Sequence, residues 1–555
     1  MKSLVTLSRV SRPFLKNLAL VFTAAVLFAA SHPNPVVTNG LPLLAWIAYV
    51  PIFFLVRNVG FGAAALWGAL YGYMAYGLFN YWLTVFHPLA GIIVGVIYSI
   101  FIAVLFVFLR LAVVIFPRRG YILQWLLWMA YEFLRTQGFL GYSYGITGYS
   151  QWTLLPVIQI AAITGVWGVS AIVVFPSAWL AAAWAQVKGQ GLALKEQGLD
   201  GFKAFFCREK VSAIVWLALL TATLVYGFVS PVDYSGARHF RVALIQHNTD
   251  PWEAARAPTA ALALEAYRED FRILSRLSDE ALASRPDTEL VVWPETAFVP
   301  RIHWHSTYRP DHGYWLLVRD LLDFLRDRDV PFVIGNDDGR RDPVLNPIGN
   351  NVVNFNAAIL FERGEMVEVY RKLHLVPFTE HFPFERQLPW VYNALRNADT
   401  HFWHMGTETT VFEVDGVRFS TPICFEDTFG YISRLFVLNG AELFVNLTND
   451  AWANSLSCQM QHLSMAVFRS VENRRSTVRS TVSGQTAAID PNGRILAMAE
   501  PFIETYLNVA VPVLASPITI YTLYGDYLGA AFTATAFLVL ILGLLLYIMN
   551  LRKRR

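Results

Sequence analysis

Three side chains whose types can together exchange an acyl group stand at the ends of short strand-like runs. They are the carboxylate of Glu295, the ammonium of Lys372 and the thiol of Cys424. A carboxylate can take a thiol proton, a cation can stabilise a developing oxyanion, and a thiolate can attack a carbonyl carbon. The residue types therefore indicate nucleophilic chemistry at a carbonyl centre, provided that the fold brings the three together.

Each of the three side chains also has a simpler interpretation. Cys424 could be an inert buried thiol, Glu295 an acid on the surface at a strand end, and Lys372 a solvated cation beside Arg371. The context of Cys424 favours a nucleophile, because a helix predicted over residues 431–438 would place its positive end nearby. Backbone N–H groups and a helix N-terminus both favour thiolate over thiol.

The elements that would position these residues lie in a region with an α/β rhythm, residues 235–515. Strands are predicted over 241–246, 289–293, 331–335, 352–361, 366–370, 442–447 and 476–488, and helices over 260–282, 314–326, 431–438 and 459–472. This alternation predicts sheets covered by helices. Ligands of such folds gather at the carboxyl ends of strands.

The composition of the whole chain is more hydrophobic than that of a soluble protein. Of 555 residues, 55% are hydrophobic and only 15% are charged, so much of the chain must lie in lipid. The formal charge of +3 offers no argument for a nucleic-acid partner. Three scattered cysteines are too few for a disulfide framework or a zinc site, and we expect neither a metal nor a cofactor.

Apolar segments of spanning length precede and follow the α/β region. The candidates are 18–30, 41–56, 61–84, 90–116, 121–133, 155–185, 211–229 and 527–549. They predict a helical membrane domain over residues 1–234 with about seven spans. Residues 235–515 would form the catalytic domain, and residues 516–555 would add a last transmembrane helix and a basic tail.

The basic residues predict the orientation. Arg57, Arg118, Arg119 and the loop from 188 to 210 alternate with loops that are almost free of Lys and Arg. By the positive-inside rule the basic loops are cytoplasmic. Residues 235–515 are therefore expected on the outer side of the membrane.

Sequence motifs around the three residues resemble the nitrilase (carbon-nitrogen hydrolase) superfamily. They are Trp293-Pro294-Glu295, the stretch RKLHLVPFTE over 371–380, and Cys424-Phe425-Glu426. The resemblance implies an α-β-β-α sandwich with Glu295 as general base, Lys372 beside the tetrahedral intermediate and Cys424 as nucleophile. It also implies that Glu380 supports the lysine, whereas the alternative is a loop acid paired with His381.

Motifs outside the triad narrow the resemblance to the apolipoprotein N-acyltransferase family. They are Tyr131 to Arg135, Gly148 to Gln151, and Ile245 to Asn248 followed by Trp252. The resemblance implies transfer of an acyl chain from a phospholipid, as phosphatidylethanolamine, through a Cys424 thioester. The acceptor would be the α-amine of a lipoprotein's diacylglyceryl-cysteine. It further implies a multi-pass protein of the bacterial inner membrane, expected as a monomer, with its catalytic domain in the periplasm.

The chain departs from that family at one position beside the nucleophile. Phe425 stands where members often have tyrosine, so any role of that hydroxyl is absent or is supplied otherwise. Glu426 keeps the family's acid, and we expect it, with Phe425, to support the site. The backbone N–H after the cysteine remains available to an oxyanion.

Aromatic residues near the predicted site are candidate lipid contacts. Phe382 and Trp390 follow Glu380, Phe298 follows Glu295, and Tyr149 and Trp252 lie in the family motifs. Aromatic rings suit a membrane interface, where one side of the ring is apolar and the other wet. The alternative is ordinary packing of a domain core.

The sequence is also compatible with two other functions. A membrane-tethered amidase would use the same triad on a small soluble amide. A transporter with an outer binding module has less support, because the apolar segments hold few ionisable residues of the kind that mark transport pathways.

Overall fold

The structure is a computed structural model that describes residues 2–86, 88–188, 198–249, 257–346, 351–397 and 402–554. The chain divides into two compact units. The first comprises Met1–Pro231, Leu456–Ser464 and Asp526–Arg555, and the second Val232–Ser455 and Met465–Gly525. Trp252 lies outside the described residues.

The first unit is helical. Its helices are Lys2–Ser31, Val50–Asn58, Phe61–Phe79, Leu83–Phe86, Pro88–Ile115, Gly120–Leu134, Leu155–Ile158, Ala161–Thr164, Val166–Val187, Gly198–Val229 and Tyr527–Arg554, with 3₁₀ turns at Pro42–Trp46 and Thr147–Gln151. Within the described residues, five helices are long and apolar enough to cross a membrane: Arg12–Ser31, Ala90–Ile115, Val166–Val187, Gly198–Val229 and Tyr527–Lys553. The predicted membrane character is thus confirmed.

Polar side chains in the first unit are paired inside the helix bundle. Glu132 accepts hydrogen bonds from the backbone N–H of Thr147, at 3.1 Å, and from its hydroxyl. Arg135 donates to the hydroxyl of Tyr98 and to the carbonyl of Tyr144, each at 2.9 Å. These bonds stabilise charged groups that would be costly to expose to lipid.

The second unit contains two six-stranded sheets. The strands are β1 (His239–Gln246), β2 (Leu290–Val292), β3 (Phe332–Arg341), β4 (Val352–Glu362), β5 (Glu365–Arg371), β6 (Val411–Val414), β7 (Val417–Ser420), β8 (Leu443–Thr448), β9 (Ser476–Thr481), β10 (Ala487–Ile489), β11 (Ile495–Met498) and β12 (Thr505–Pro512). Their orders are β12-β1-β2-β3-β4-β5 and β11-β10-β9-β8-β7-β6. The stretch 476–488 thus forms two antiparallel strands, β9 and β10.

Both sheets repeat one pattern of pairing. Strands β1, β2 and β3 are parallel, as are β7, β8 and β9, and the flanking strands pair antiparallel. In the strand register, Val242 of β1 lies opposite Leu290 of β2, and Phe419 of β7 lies opposite Leu443 of β8. Because parallel strands end at the same edge of a sheet, the residues that follow β7 and β8 in the second sheet are brought near one another.

The two sheets face each other, and helices cover their outer faces. Ser480 on β9 donates its hydroxyl to the carbonyls of Ile245 at 2.8 Å and Val292 at 3.1 Å, which links the sheets. The remaining helices are Ala260–Ser284, Ile302–Tyr308, His312–Arg326, Pro389–Asn397, Gly430–Leu438, Leu456–Asn473 and Ile520–Tyr524, with 3₁₀ turns at Cys424–Thr428 and Ala451–Ala453. This arrangement is the predicted α-β-β-α sandwich.

The core beneath the first sheet sets the position of the Glu295 segment. Trp293 is fully buried among side chains of the helices Ala260–Ser284 and His312–Arg326. Its indole N–H donates to Ser278 Oγ at 2.9 Å, so the large ring keeps a polar partner inside the core. This anchor lies two residues before Glu295. Phe298 belongs to the same core, which favours packing over lipid contact for that ring.

Candidate active site

Cys424 lies in a strained turn at the end of the β7 segment. The chain leaves β7 at Ser420, Ile423 makes a bridge to Leu447, and a 3₁₀ turn runs from Cys424 to Thr428. Cys424 has a φ of +48°, which is unfavourable for a residue with a Cβ atom. Such strain is typical of functional sites, where a sharp turn presents a nucleophile.

Glu295 is held by three donors. Its Oε1 accepts hydrogen bonds from Asn356 Nδ2 at 2.8 Å and Lys372 Nζ at 3.2 Å, and its Oε2 accepts one from the backbone N–H of Asn449 at 2.9 Å. The side chain is almost completely buried. Gly335 permits this position, since a Cβ atom there would lie 2.7 Å from the Cα of Glu295.

Lys372 is fully buried and connects two carboxylates. Its Nζ lies 3.2 Å from Glu295 Oε1 and 2.9 Å from Glu380 Oε1. Burial by itself lowers the pKa of Lys372, but Glu295, Glu380 and Cys424 outweigh it, and the net pKa is raised. Lys372 is therefore a permanent cation at physiological pH.

Glu380 is oriented by the same lysine and by the chain around it. Its Oε1 accepts from Lys372 Nζ, and its Oε2 accepts from the backbone N–H of Val376 at 2.9 Å. Burial raises the pKa of Glu380, while the charge of Lys372 opposes that effect. A contact with the lysine is what the family resemblance implied for this residue.

The pKa of the Cys424 thiol is raised by its surroundings. Burial raises the pKa of Cys424 well above its ordinary value, the negative charge of Glu295 raises it further, and Lys372 opposes both. These effects together favour the neutral thiol over the thiolate in the resting site. Because a neutral thiol is a poor nucleophile, nucleophilic chemistry at Cys424 needs a base, and Glu295 is a carboxylate in electrostatic interaction with the thiol.

Glu426 connects the Lys372 and Cys424 segments. Its Oε1 accepts from the backbone N–H groups of Leu373 at 2.6 Å and His374 at 3.1 Å, and its Oε2 accepts from that of Ile423 at 2.8 Å. The hydroxyl of Tyr370 lies 2.8 and 2.9 Å from the two oxygens. Burial raises the pKa of Glu426 to about 7. One side chain thus links the residues directly after Lys372 with the residue directly before Cys424.

Phe425 packs where the family often has tyrosine. Its ring is buried, with centroid distances of 5.0 Å to Phe429 and 5.7 Å to His374. His374 Nδ1 lies 2.8 Å from the hydroxyl of Tyr431, so a phenol hydroxyl reaches this cluster from a different position in the chain.

The remaining predicted contact residues are in different environments. Phe382 is buried, and its ring centroid lies 6.0 Å from Phe378 and 5.8 Å from Phe384. Trp390 is 72% exposed on the helix Pro389–Asn397, which makes it the better candidate for an apolar contact outside the domain. Tyr149 is buried in the first unit, in the 3₁₀ turn Thr147–Gln151.

Sequence reasoning missed several residues that hold the site. Asn356 and Tyr370 are polar residues on buried strand positions, and Asn449 acts through its backbone N–H. Asn356, directly before the apolar run 357–361 of β4, was a signal that could have been read, because a buried amide needs partners. A backbone donor leaves no such signal.

The chain is similar to a solved structure and to two family models. The solved structure of a nitrilase-superfamily protein from Saccharomyces cerevisiae is 17% identical, covers 50% of this chain and 90% of its own, and has a TM-score of 0.34. The family model described as carbon-nitrogen hydrolase matches residues 241–515, and that described as apolipoprotein N-acyltransferase N-terminal domain matches residues 24–179. These two family models define the class, a membrane protein with a nitrilase-like domain.

Relatives of nearly full length identify the family. Apolipoprotein N-acyltransferase 1 of Treponema denticola is 45% identical over 97% of this chain and 97% of its own length. Apolipoprotein N-acyltransferase 1 of Treponema pallidum is 46% identical, covering 96% of this chain and 97% of its own. The chain belongs to the apolipoprotein N-acyltransferase family, and it is an acyltransferase. This confirms the resemblance predicted from the sequence.

Proposed function

We propose that this protein transfers an acyl chain from a phospholipid to the α-amine of an apolipoprotein's diacylglyceryl-cysteine. The proposed donor is phosphatidylethanolamine. The observation that carries the proposal is Lys372 Nζ, a buried cation within 3.2 Å of Glu295 and 2.9 Å of Glu380 and in electrostatic interaction with Cys424. This arrangement supplies a base, an oxyanion partner and a nucleophile in one site.

The first half-reaction forms a thioester. Glu295 accepts the thiol proton of Cys424, and the sulfur attacks the ester carbonyl carbon of the lipid. The ammonium of Lys372 stabilises the oxyanion, because a fixed charge in a buried site needs no reorganisation. The intermediate then expels the glycerol oxygen, which takes the proton from Glu295 and leaves as lysophospholipid.

The second half-reaction transfers the acyl chain to the acceptor. An α-amine has a pKa of about 8, so an appreciable fraction is neutral at physiological pH and can attack the thioester. Collapse of that intermediate forms the amide and releases the thiolate. The proton lost by the amine passes through Glu295 to the sulfur, which restores the resting thiol. Two substrates that use one site in turn give ping-pong kinetics.

The exposed aromatic ring of Trp390 supports a lipid substrate. We propose Trp390 as an acyl-chain or bilayer contact, and Phe382 as a second substrate contact. Tyr149 and Trp252 are proposed contacts on the family resemblance alone. We further propose, from the distribution of Lys and Arg, that the protein lies in the bacterial inner membrane with residues 235–515 in the periplasm.

Intact-mass analysis of the full-length protein in phosphatidylethanolamine vesicles tests the thioester. We expect wild type to gain one hydroxylamine-labile acyl group and Cys424→Ala to gain none. Cys207→Ala and Cys458→Ala are matched controls, since each removes a thiol and keeps Cys424. Acylation of Cys424→Ala would overturn the thioester at Cys424. If neither protein is acylated while small amides release ammonia, a tethered amidase replaces the proposal.

A further inference from the structure

A buried arginine on β9 lies between two segments of the candidate site. Arg479 is completely buried, and its Nη1 forms an ion pair with Asp427 Oδ2. Its Nη2 lies 3.7 Å from Asp450 Oδ2. One planar guanidinium thus reaches two carboxylates that are themselves nearly inaccessible to solvent.

Both carboxylates belong to segments that carry the proposed chemistry. Asp427 lies in the turn Cys424–Thr428, which we call the Cys424 turn. Asp450 directly follows Asn449, whose backbone N–H donates to Glu295 Oε2 at 2.9 Å. A shift of Asp450 would therefore change the orientation of the proposed base, and a shift of Asp427 would move the turn of the nucleophile.

Charge gives the same arginine a second effect. Asp450 is among the groups that raise the pKa of Cys424, after burial and Glu295. Two buried carboxylates without a cation would be strongly unfavourable and would oppose formation of the thiolate. The guanidinium of Arg479 balances this charge where water cannot.

We propose that Arg479 is a positioning residue of the active site, which holds the Cys424 turn and the Asn449 segment together and balances their carboxylates. The inference rests on the proposed role of Cys424 as nucleophile and does not require that the acyl donor be a phospholipid. Arginine suits the task because its charge is spread over two terminal nitrogens, one paired with Asp427 and the other 3.7 Å from Asp450, whereas lysine offers a single charged centre.

The chain offers a matched control at Arg475, which is equally buried beside the start of β9. Arg475 donates to backbone carbonyls, with Nη2 2.7 Å from Ala515 O and Nε 3.2 Å from Ala441 O. Substitution of Arg475 disturbs packing and hydrogen bonding without removing the link between Asp427 and Asp450. A purely structural role for both arginines predicts the same effect from both variants.

The test is alkylation of Cys424 by iodoacetamide in the full-length protein from pH 7 to 10, followed by peptide mass analysis. The alkylation rate reports the fraction of thiolate and needs no lipid. We expect Arg479→Gln to slow alkylation by about tenfold at each pH below the thiol pKa, the effect of one pKa unit. Asp450→Asn should accelerate it, and the double variant should return towards wild type. Arg475→Gln should leave the profile unchanged.

The conservative Arg479→Lys keeps the charge and loses the two-point contact, so kcat should fall with little change in KM. An alkylation profile of Arg479→Gln within twofold of wild type, or equal slowing by Arg475→Gln, overturns the proposal. If Arg479→Gln does not fold, Asp450→Asn decides alone, and an unchanged profile there also overturns it. Because the assay contains no lipid, its result is independent of whether a thioester forms.

Discussion

Replacing Glu426 by Gln tests the geometry of the site most directly. The carboxylate accepts from three backbone N–H groups, those of Leu373, His374 and Ile423, and from the hydroxyl of Tyr370. A glutamine amide has one acceptor oxygen and an NH₂ group that is itself a donor. At least one of these N–H groups must then face another donor.

The expected magnitude follows from the number of bonds lost. Each buried donor left without an acceptor costs about 1–3 kcal/mol, so Glu426→Gln should lower stability by at least that amount. The larger effect is on rate, because the segments after Lys372 and before Cys424 are no longer held together. A misplacement of about 1 Å at reacting groups costs about 100-fold, and we expect acylation to slow by at least that factor.

The assay is single-turnover acylation of Cys424 in phosphatidylethanolamine vesicles, followed by intact mass. Tyr370→Phe gives a graded comparison, since it removes one donor and leaves the backbone donors, and should slow acylation by less than about tenfold. Glu368→Gln, at an exposed position of β5, is the control for loss of an acidic side chain. Acylation by Glu426→Gln within threefold of wild type would refute the reasoning.

Three further substitutions or measurements test neighbouring parts of the site. Glu380→Gln leaves the buried ammonium of Lys372 with one carboxylate fewer, and removal of a buried ion-pair partner costs about 3–5 kcal/mol, so thermal stability and kcat should both fall. Gly335→Ala should lower both thermal stability and kcat, because the added Cβ atom would clash with the carbonyl oxygen of Pro294 and lie 2.7 Å from the Cα of Glu295, which displaces that residue. Since the pKa of Cys424 is raised well above its ordinary value, iodoacetamide alkylation of wild type should rise about tenfold per pH unit from pH 7 to 9. The contrary results are unchanged stability and kcat in Glu380→Gln, wild-type kinetics in Gly335→Ala, and an alkylation rate that is flat with pH.

The candidate residues were recognisable from local sequence because each carries chemistry at the end of a regular element. Glu295 follows an apolar strand and a proline, Lys372 follows β5, and Cys424 ends the β7 segment, so periodicity and motif order pointed to them together. The α/β character and the apolar spans follow from equally local patterns of hydrophobicity. The sequence by itself therefore determined the class of domain and the membrane association, and it supplied the candidate reacting groups.

Only the tertiary structure decided the pKa values of those groups and the contacts that hold them in position. Burial and the charge of Glu295 raise the pKa of Cys424, and neither effect can be read from the sequence around the cysteine. The contact of Glu426 with His374 and that of Arg479 with Asp427 each join residues that are 52 positions apart in the chain. Such contacts depend on the pairing of strands and the packing of two sheets, which no short window of sequence contains. Their energies also depend on the exclusion of water, a property of the assembled core.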